Sequence, residues 1–139
     1  MRMHTAQHLL SAIILDRYGA ETAGNQIEAN ASRIDFCPLS IDDAGLAEVV
    51  AKFNEFVDQA IPVHIKEMSR QEMMASVDER RRKLFARVPE SVKTVRVIEV
   101  LAVDKCPCAG THVANTKEIG HIKITKTENK GKDTIRVRF

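Results

Sequence analysis

Leu46, Val49, Val50, Phe53, Phe56, Val57 and Ala60 recur at the spacing of one helix face, and the pattern stops at Pro62. Val63 and Ile65 then alternate with His64 and Lys66, which is the period of a strand. A chain that passes from helical to extended period across one proline has to pack both kinds of element together. Ser40, with Asp43 three residues later, is the expected opening of this helix. Met3 to Tyr18 reads as a further helix ending at Gly19, and Ser32 to Phe36 as a strand before Pro38, while the stretch between them, with Gly24, Asn25 and Asn30, shows no regular pattern. Ser69 and Glu72 predict a brief helix, and Asp78 to Arg87 a second short helix or turn. Val92 to Val103 is almost continuously β-branched and apolar, as a buried strand is. A loop from Asp104 to Thr116 follows. The chain closes with a hairpin of Ile119 to Thr127 and Thr134 to Phe139 around Asn129 to Lys132. Without strict βαβ alternation, the expected class is α+β: a mixed, largely antiparallel sheet packed against helices, in a single domain over 1–139.

With 44% hydrophobic and 29% charged residues the chain has the composition of a globular domain rather than a disordered tail. No uncharged apolar run approaches the roughly 20 residues of a membrane helix, and the start lacks a signal-peptide pattern, so a cytoplasmic location without a membrane partner is expected. Charge is unevenly spread. Residues 1–79 hold 6 Lys and Arg against 13 Asp and Glu, whereas 80–139 hold 15 against 6. A basic second half fits a polyanionic partner such as nucleic acid, or else a solvated basic surface. If Ile122, Ile124, Ile135, Val137 and Phe139 face the core, Lys123, Arg136 and Arg138 share the opposite face and are placed to follow phosphates. Arg80, Arg81, Arg82 and Lys83 form a second cluster, equally readable as a solvated helix face. One tyrosine and no tryptophan argue against base stacking on an aromatic platform.

Three cysteines, Cys37, Cys106 and Cys108, cannot all pair, and the last two are too close for an easy bridge, which favours metal or thiol chemistry. His4 and His8, four apart in a helix, present both imidazoles on one face. Thr5 occupies the position where a metalloprotease helix needs its glutamate base, so a peptidase of that kind is disfavoured. Cys108 and His112 are also four apart, in a loop that Gly110 lets turn sharply. Two imidazoles meeting a thiolate and a third imidazole would make a tetrahedral zinc site. The alternative is two surface histidines at a chain terminus and a cysteine serving as a small apolar side chain.

MHTAQHLLSA at 3–12 and PCAGTHVANTKEIGHIKI at 107–124 resemble the motifs of alanyl-tRNA editing domains: the free-standing AlaX proteins and the equivalent domain of alanyl-tRNA synthetase, with the threonyl-tRNA synthetase editing domain more distant. Arg33-Ile34-Asp35-Phe36 and Lys126 to Phe139 extend the resemblance over essentially the whole chain. It implies a zinc-dependent hydrolase that deacylates mischarged alanine tRNA carrying serine, and secondarily glycine. It also implies one zinc per chain, held by His4, His8, Cys108 and His112, with Cys106 outside the ligand set. The family's usual glycine is Ala109 here. Only three residues precede the first histidine where longer relatives carry a further segment, so the chain is either naturally minimal or a piece of a longer protein.

Such an activity has a physical rationale, because a synthetase pocket for alanine rejects serine by only about 10²-fold, whereas a site that hydrogen-bonds the extra hydroxyl spares alanine by roughly 10⁴ or more. Thr5, Gln7, Thr22, Asn25, Gln26 and Thr111 are the polar residues near the motifs that could read that hydroxyl; helix capping, turns or exposure are their ordinary roles. Four protein ligands would fill a tetrahedron. The catalytic group is therefore expected to be either a zinc-bound water at a position one ligand vacates or a water activated elsewhere, with no side-chain base assigned. Two other readings remain at this point: a zinc-stabilised RNA-binding module without hydrolysis, and editing of another mischarged tRNA such as seryl-tRNA(Thr).

Overall fold

The first helix, α1 (Arg2–Tyr18), is buried without interruption from Thr5 to Leu10 and again from Ala12 to Ile14, so it runs through the interior rather than along a surface. The computed structural model describes residues 2–76, 82 and 88–139. After α1 come β1 (Glu21–Gln26), β2 (Arg33–Cys37), α2 (Asp43–Asp58), β3 (Val63–Ser69), α3 (Arg70–Ser76), β4 (Thr94–Val100), β5 (Asp104–Pro107), a 3₁₀ turn (Thr116–Ile119), β6 (Lys126–Asn129) and β7 (Ile135–Arg138). The class is α+β, as expected, but the strands form two antiparallel sheets instead of one: β1-β2-β7-β6 and β3-β4-β5. Leu9, Leu10 and Ile14 of α1, Val49 and Phe53 of α2, Ile34, Phe36 and Val137 of the first sheet and Ile98 and Val100 of the second meet in one core.

Four local expectations are corrected. Glu21 to Gln26 is a strand despite Gly24 and Asn25, because the partner supplies the order: it pairs with Arg33–Cys37 across a bulge between Thr22 and Gly24. The cap of α2 is Asp42, whose carboxylate accepts the Gly45 N–H at 2.7 Å, and not Ser40. The apolar run ends as a strand at Val100. Leu101 to Val103 then turn, with Ala102 at φ 64°, and Asp104–Pro107 returns antiparallel, pairing Cys106 with Ile98, where a loop was expected. In the closing hairpin the first strand begins only at Lys126. The preceding segment is held by side chains instead: Asn115 and Glu118 cap the 3₁₀ turn reciprocally, and Asn54 Oδ1 accepts the Ile122 N–H at 3.0 Å.

Ser69 does cap α3, accepting the Glu72 N–H at 3.2 Å. The helix or turn expected over Asp78 to Arg87 lies, apart from Arg82, outside the described residues. Among the described residues no helix is long and apolar enough to cross a membrane.

Candidate metal centre

His4 and His8 stand one turn apart on α1, whereas Cys108 and His112 lie in the segment leaving β5. That segment is fixed at its start by the β4–β5 ladder and by Arg96. The Arg96 carbonyl accepts the Cys108 N–H at 3.1 Å, and its guanidinium Nη1 donates to the carbonyls of Cys108 and Gly110, both at 2.8 Å. At Gly110 the loop presses on His4 so closely that a Cβ would sit inside the van der Waals radii of the ring atoms Cε1 and Nδ1. Glycine is required there for close approach.

One ligand atom each from His4, His8, Cys108 and His112 lies within 4.8 Å of the others. Cys108 Sγ is 3.4 Å from His4 Nε2 and 3.5 Å from His112 Nε2. Two ligands on one tetrahedral zinc, with bonds of about 2.3 Å to sulfur and 2.05 Å to nitrogen, stand about 3.6 Å apart, so the spacing fits. The imidazoles of His4 and His112 stack at 4.3 Å, and His8 meets each edge-on at 4.9 and 4.6 Å. Burial disfavours the imidazolium in all three rings, each further hindered by its neighbours' charge: it pushes His8 down to about 3 and His112 to about 4, and also lowers His4. Near neutral pH the rings are uncharged, the form with a lone pair to donate to a metal. Three imidazoles and one thiol gathered within 4.8 Å suit zinc better than a hard cation.

Every ring also has its second nitrogen engaged. His112 Nδ1 is 3.0 Å from Thr5 Oγ1, which accepts the Val113 N–H at 3.1 Å. His4 bonds the backbone of Thr111. His8 Nδ1 touches Cys106 Sγ at 2.9 Å. A cavity of about 610 Å³ opens beside His8 and Cys108 between α1, β1 and the β4–β5 hairpin. Gln7, Thr22 and Asn25 line it. Gln7 Nε2 donates to Ser11 Oγ at 3.0 Å, and Ser11 Oγ stands 2.9 Å from Thr22 Oγ1.

The six polar residues singled out by sequence thus separate. Gln7, Thr22 and Asn25 reach the cavity, whereas Thr5 is fully buried behind His112. The exposed Gln26 faces Glu28 and Arg33, and the exposed Thr111 contributes its backbone to His4. Ser11, Arg96 and Asp104 carry no expectation from sequence as site residues, and Cys106 was expected only to lie outside the ligand set. Its approach to His8 follows from the β5 pairing, since in an extended strand Cys106 faces the same side as Cys108 two residues on.

Of the basic residues, Lys123 and Arg82 are exposed, while Arg80, Arg81 and Lys83 lie outside the described residues. Arg136 forks onto Asp35 at 2.7 and 3.1 Å, and Arg138 Nε donates to Glu128 at 2.7 Å. The outer face of the first sheet consequently carries Arg33, Arg136, Arg138, Lys126 and Lys130 interleaved with Asp35 and Glu128, a net-positive surface with internal pairing.

Residues 95–138 match the family described as the threonyl and alanyl tRNA synthetase second additional domain. The whole chain aligns with the alanyl-tRNA editing protein AlaX-M of Methanosarcina barkeri at 37% identity. Over its whole length the chain is similar to the alanyl-tRNA editing proteins. It covers 57% of that relative, and 33% of the AlaX-L protein of Pyrococcus horikoshii, with which it is 31% identical along its full length. The alanine–tRNA ligase of Thermotoga maritima is 35% identical over 133 residues, which are 93% of this chain and 15% of the ligase. The chain thus spans little more than half the length of the AlaX-M proteins it matches.

Proposed function

We propose that residues 1–139 form a single zinc-dependent editing domain that deacylates mischarged alanine tRNA, removing serine and secondarily glycine. The observation that carries this reading is the four-ligand cluster, of which His8 and Cys108 line a cavity of about 610 Å³, on a chain similar over its whole length to alanyl-tRNA editing proteins. One zinc, held by His4, His8, Cys108 and His112, would supply Lewis-acid polarisation of the ester, and a water of lowered pKa only at a position that one of the four gives up.

The chain's own residues do the rest. Thr5 orients His112 and is excluded from direct contact with substrate by its burial. Gln7 and Thr22, joined through Ser11, offer the cavity a fixed polar wall, and Asn25 lies beside it. An alanyl ester would leave this wall unpaired, which is the differential that spares the correct product. Lys123, the pair-buffered Arg136 and Arg138, and the cluster at 80–83 are the positions proposed to meet tRNA phosphates, in the cytoplasm where charged tRNA is consumed.

Single-turnover hydrolysis of seryl-, glycyl- and alanyl-tRNA(Ala), with seryl-tRNA(Thr) beside them, tests the reading. Fast release of serine from alanine tRNA, slow release of alanine, and loss on chelation are expected. Binding without hydrolysis would instead make the chain a zinc-stabilised RNA-binding module, and faster release from threonine tRNA would reassign the substrate.

A further inference from the structure

Cys106 lies outside the four-ligand set, yet its Sγ is 2.9 Å from His8 Nδ1. It is buried, and so is the ring it touches. Two explanations compete. A second metal-binding group can be drawn from His8, Asp104 and Cys106. However, a nitrogen and a sulfur on one tetrahedral zinc stand about 3.6 Å apart, as the Cys108 pairs nearly do, and 2.9 Å is too close for shared coordination. The distance is that of a hydrogen bond.

The direction of that bond follows from the third member. Asp104 Oδ2 is 3.6 Å from Cys106 Sγ and 3.8 Å from His8 Nδ1, and its side chain is almost fully enclosed. A carboxylate can only accept, so the thiol hydrogen points to Asp104, and the sulfur lone pairs remain to accept the His8 Nδ1–H. We propose that Cys106 is a positioning residue: a carboxylate–thiol–imidazole relay from Asp104 through Cys106 holds His8 as the Nδ1–H tautomer and leaves Nε2 for the metal. Metal-bound histidines nearly always donate their other N–H to such a partner, and it fixes both ring orientation and basicity. Here a sulfur occupies the place usually taken by an oxygen. Strand geometry makes the arrangement economical, because Cys106 and Cys108 project from the same side of one extended segment toward α1. The first sets the tautomer of a ligand and the second is itself a ligand.

The inference rests on the zinc reading above, but its test is separable because no tRNA enters it and one readout needs no metal. Zinc affinity is measured by chelator competition for the parent, Cys106→Ser and Cys106→Ala. Serine, which both accepts and donates, should stay within about three-fold of the parent, and alanine should weaken binding about 10- to 100-fold. Parental affinity in Cys106→Ala overturns the proposal. In cobalt-loaded protein, the thiolate charge-transfer band per bound ion should be unchanged in Cys106→Ser and lost in Cys108→Ser. A reduced band in Cys106→Ser makes Cys106 a ligand and overturns it as well. Imidazole nitrogen NMR of the metal-free protein should show His8 protonated at Nδ1 in the parent and Cys106→Ser but not in Cys106→Ala. Should the alanine variant not fold, the metal-free parent decides alone: His8 protonated at Nε2 refutes the relay.

Discussion

Thr5→Val separates the supporting role that the structure gives Thr5 from the substrate-reading role its sequence position suggested. Valine matches threonine in shape, so the perturbation is the loss of one oxygen. That oxygen accepts the Val113 N–H at 3.1 Å and meets His112 Nδ1 at 3.0 Å, at a residue with no solvent exposure. No water can take its place. An orphaned buried polar group costs about 1–3 kcal/mol. His112 is buried and pays within that range; the half-buried Val113 amide belongs at its lower end. The metal-free protein should therefore lose roughly 2–4 kcal/mol, read by urea denaturation, which for a chain of this size lowers Tm by about 10 °C. Because the His112 tautomer is released, zinc affinity should also fall about 10- to 100-fold in chelator competition. Thr5→Ser keeps the oxygen, so it should retain zinc affinity and most of the stability. If Thr5→Val is as stable as the parent and binds zinc equally well, the buried contact is energetically idle and Thr5 is not a support for His112.

Gly110→Ala should push His4 aside and lower zinc affinity by an order of magnitude or more in chelator titration, whereas Ala109→Gly, at an exposed neighbouring position, should leave it unchanged. The Arg136 guanidinium holds the Asp35 carboxyl below its usual range, so Asp35 stabilises the fold above the ordinary carboxylate value of about 4, and this contribution is lost as pH falls through the lowered folded value. Asp35→Asn should cost roughly 1 kcal/mol near neutral pH, with the deficit shrinking in acid; a deficit independent of pH in urea denaturation would remove the ion pair as its cause. Reversing Arg136 would set a carboxylate against Asp35, so the tRNA surface is better tested with Lys123→Glu and Lys126→Glu together. These should weaken tRNA binding and flatten its log–log salt slope by about 1.5, and an unchanged slope would place the tRNA elsewhere.

The parts legible in the sequence are those whose pattern is local. The helical repeat from Leu46 to Ala60 and the two four-residue spacings of His4–His8 and Cys108–His112 needed no partner to be recognised, and the structure brings the four side chains together. β1 was not legible, because Gly24 and Asn25 are turn formers and only pairing with β2 makes that stretch a strand. β5 was hidden for the same reason: four residues containing a lysine and a proline carry no strand signal until the turn at Ala102 folds them onto β4. Nor does sequence distinguish Thr5 from Gln26, since both are polar and near a motif. The enclosing core makes one a support and leaves the other in solvent.

His4 and His8 are separated from Cys108 and His112 by roughly 100 residues of chain, and this spacing has a consequence for how the centre comes into being. On a ribosome adding about 5–20 residues per second, the helix carrying the first two imidazoles emerges some 5–20 seconds before the thiolate that completes the set. Throughout that interval it lacks the sheet residues that enclose it, and two imidazoles alone hold zinc weakly. Metal capture is accordingly a late event, tied to closure of a very long loop. Once made, the bonds join distant parts of the chain as a disulfide would, withdrawing from the unfolded ensemble about 4–5 kcal/mol of loop entropy if a single cross-link is the guide. Metal scarcity would then diminish the folded population itself, beyond silencing one step of chemistry.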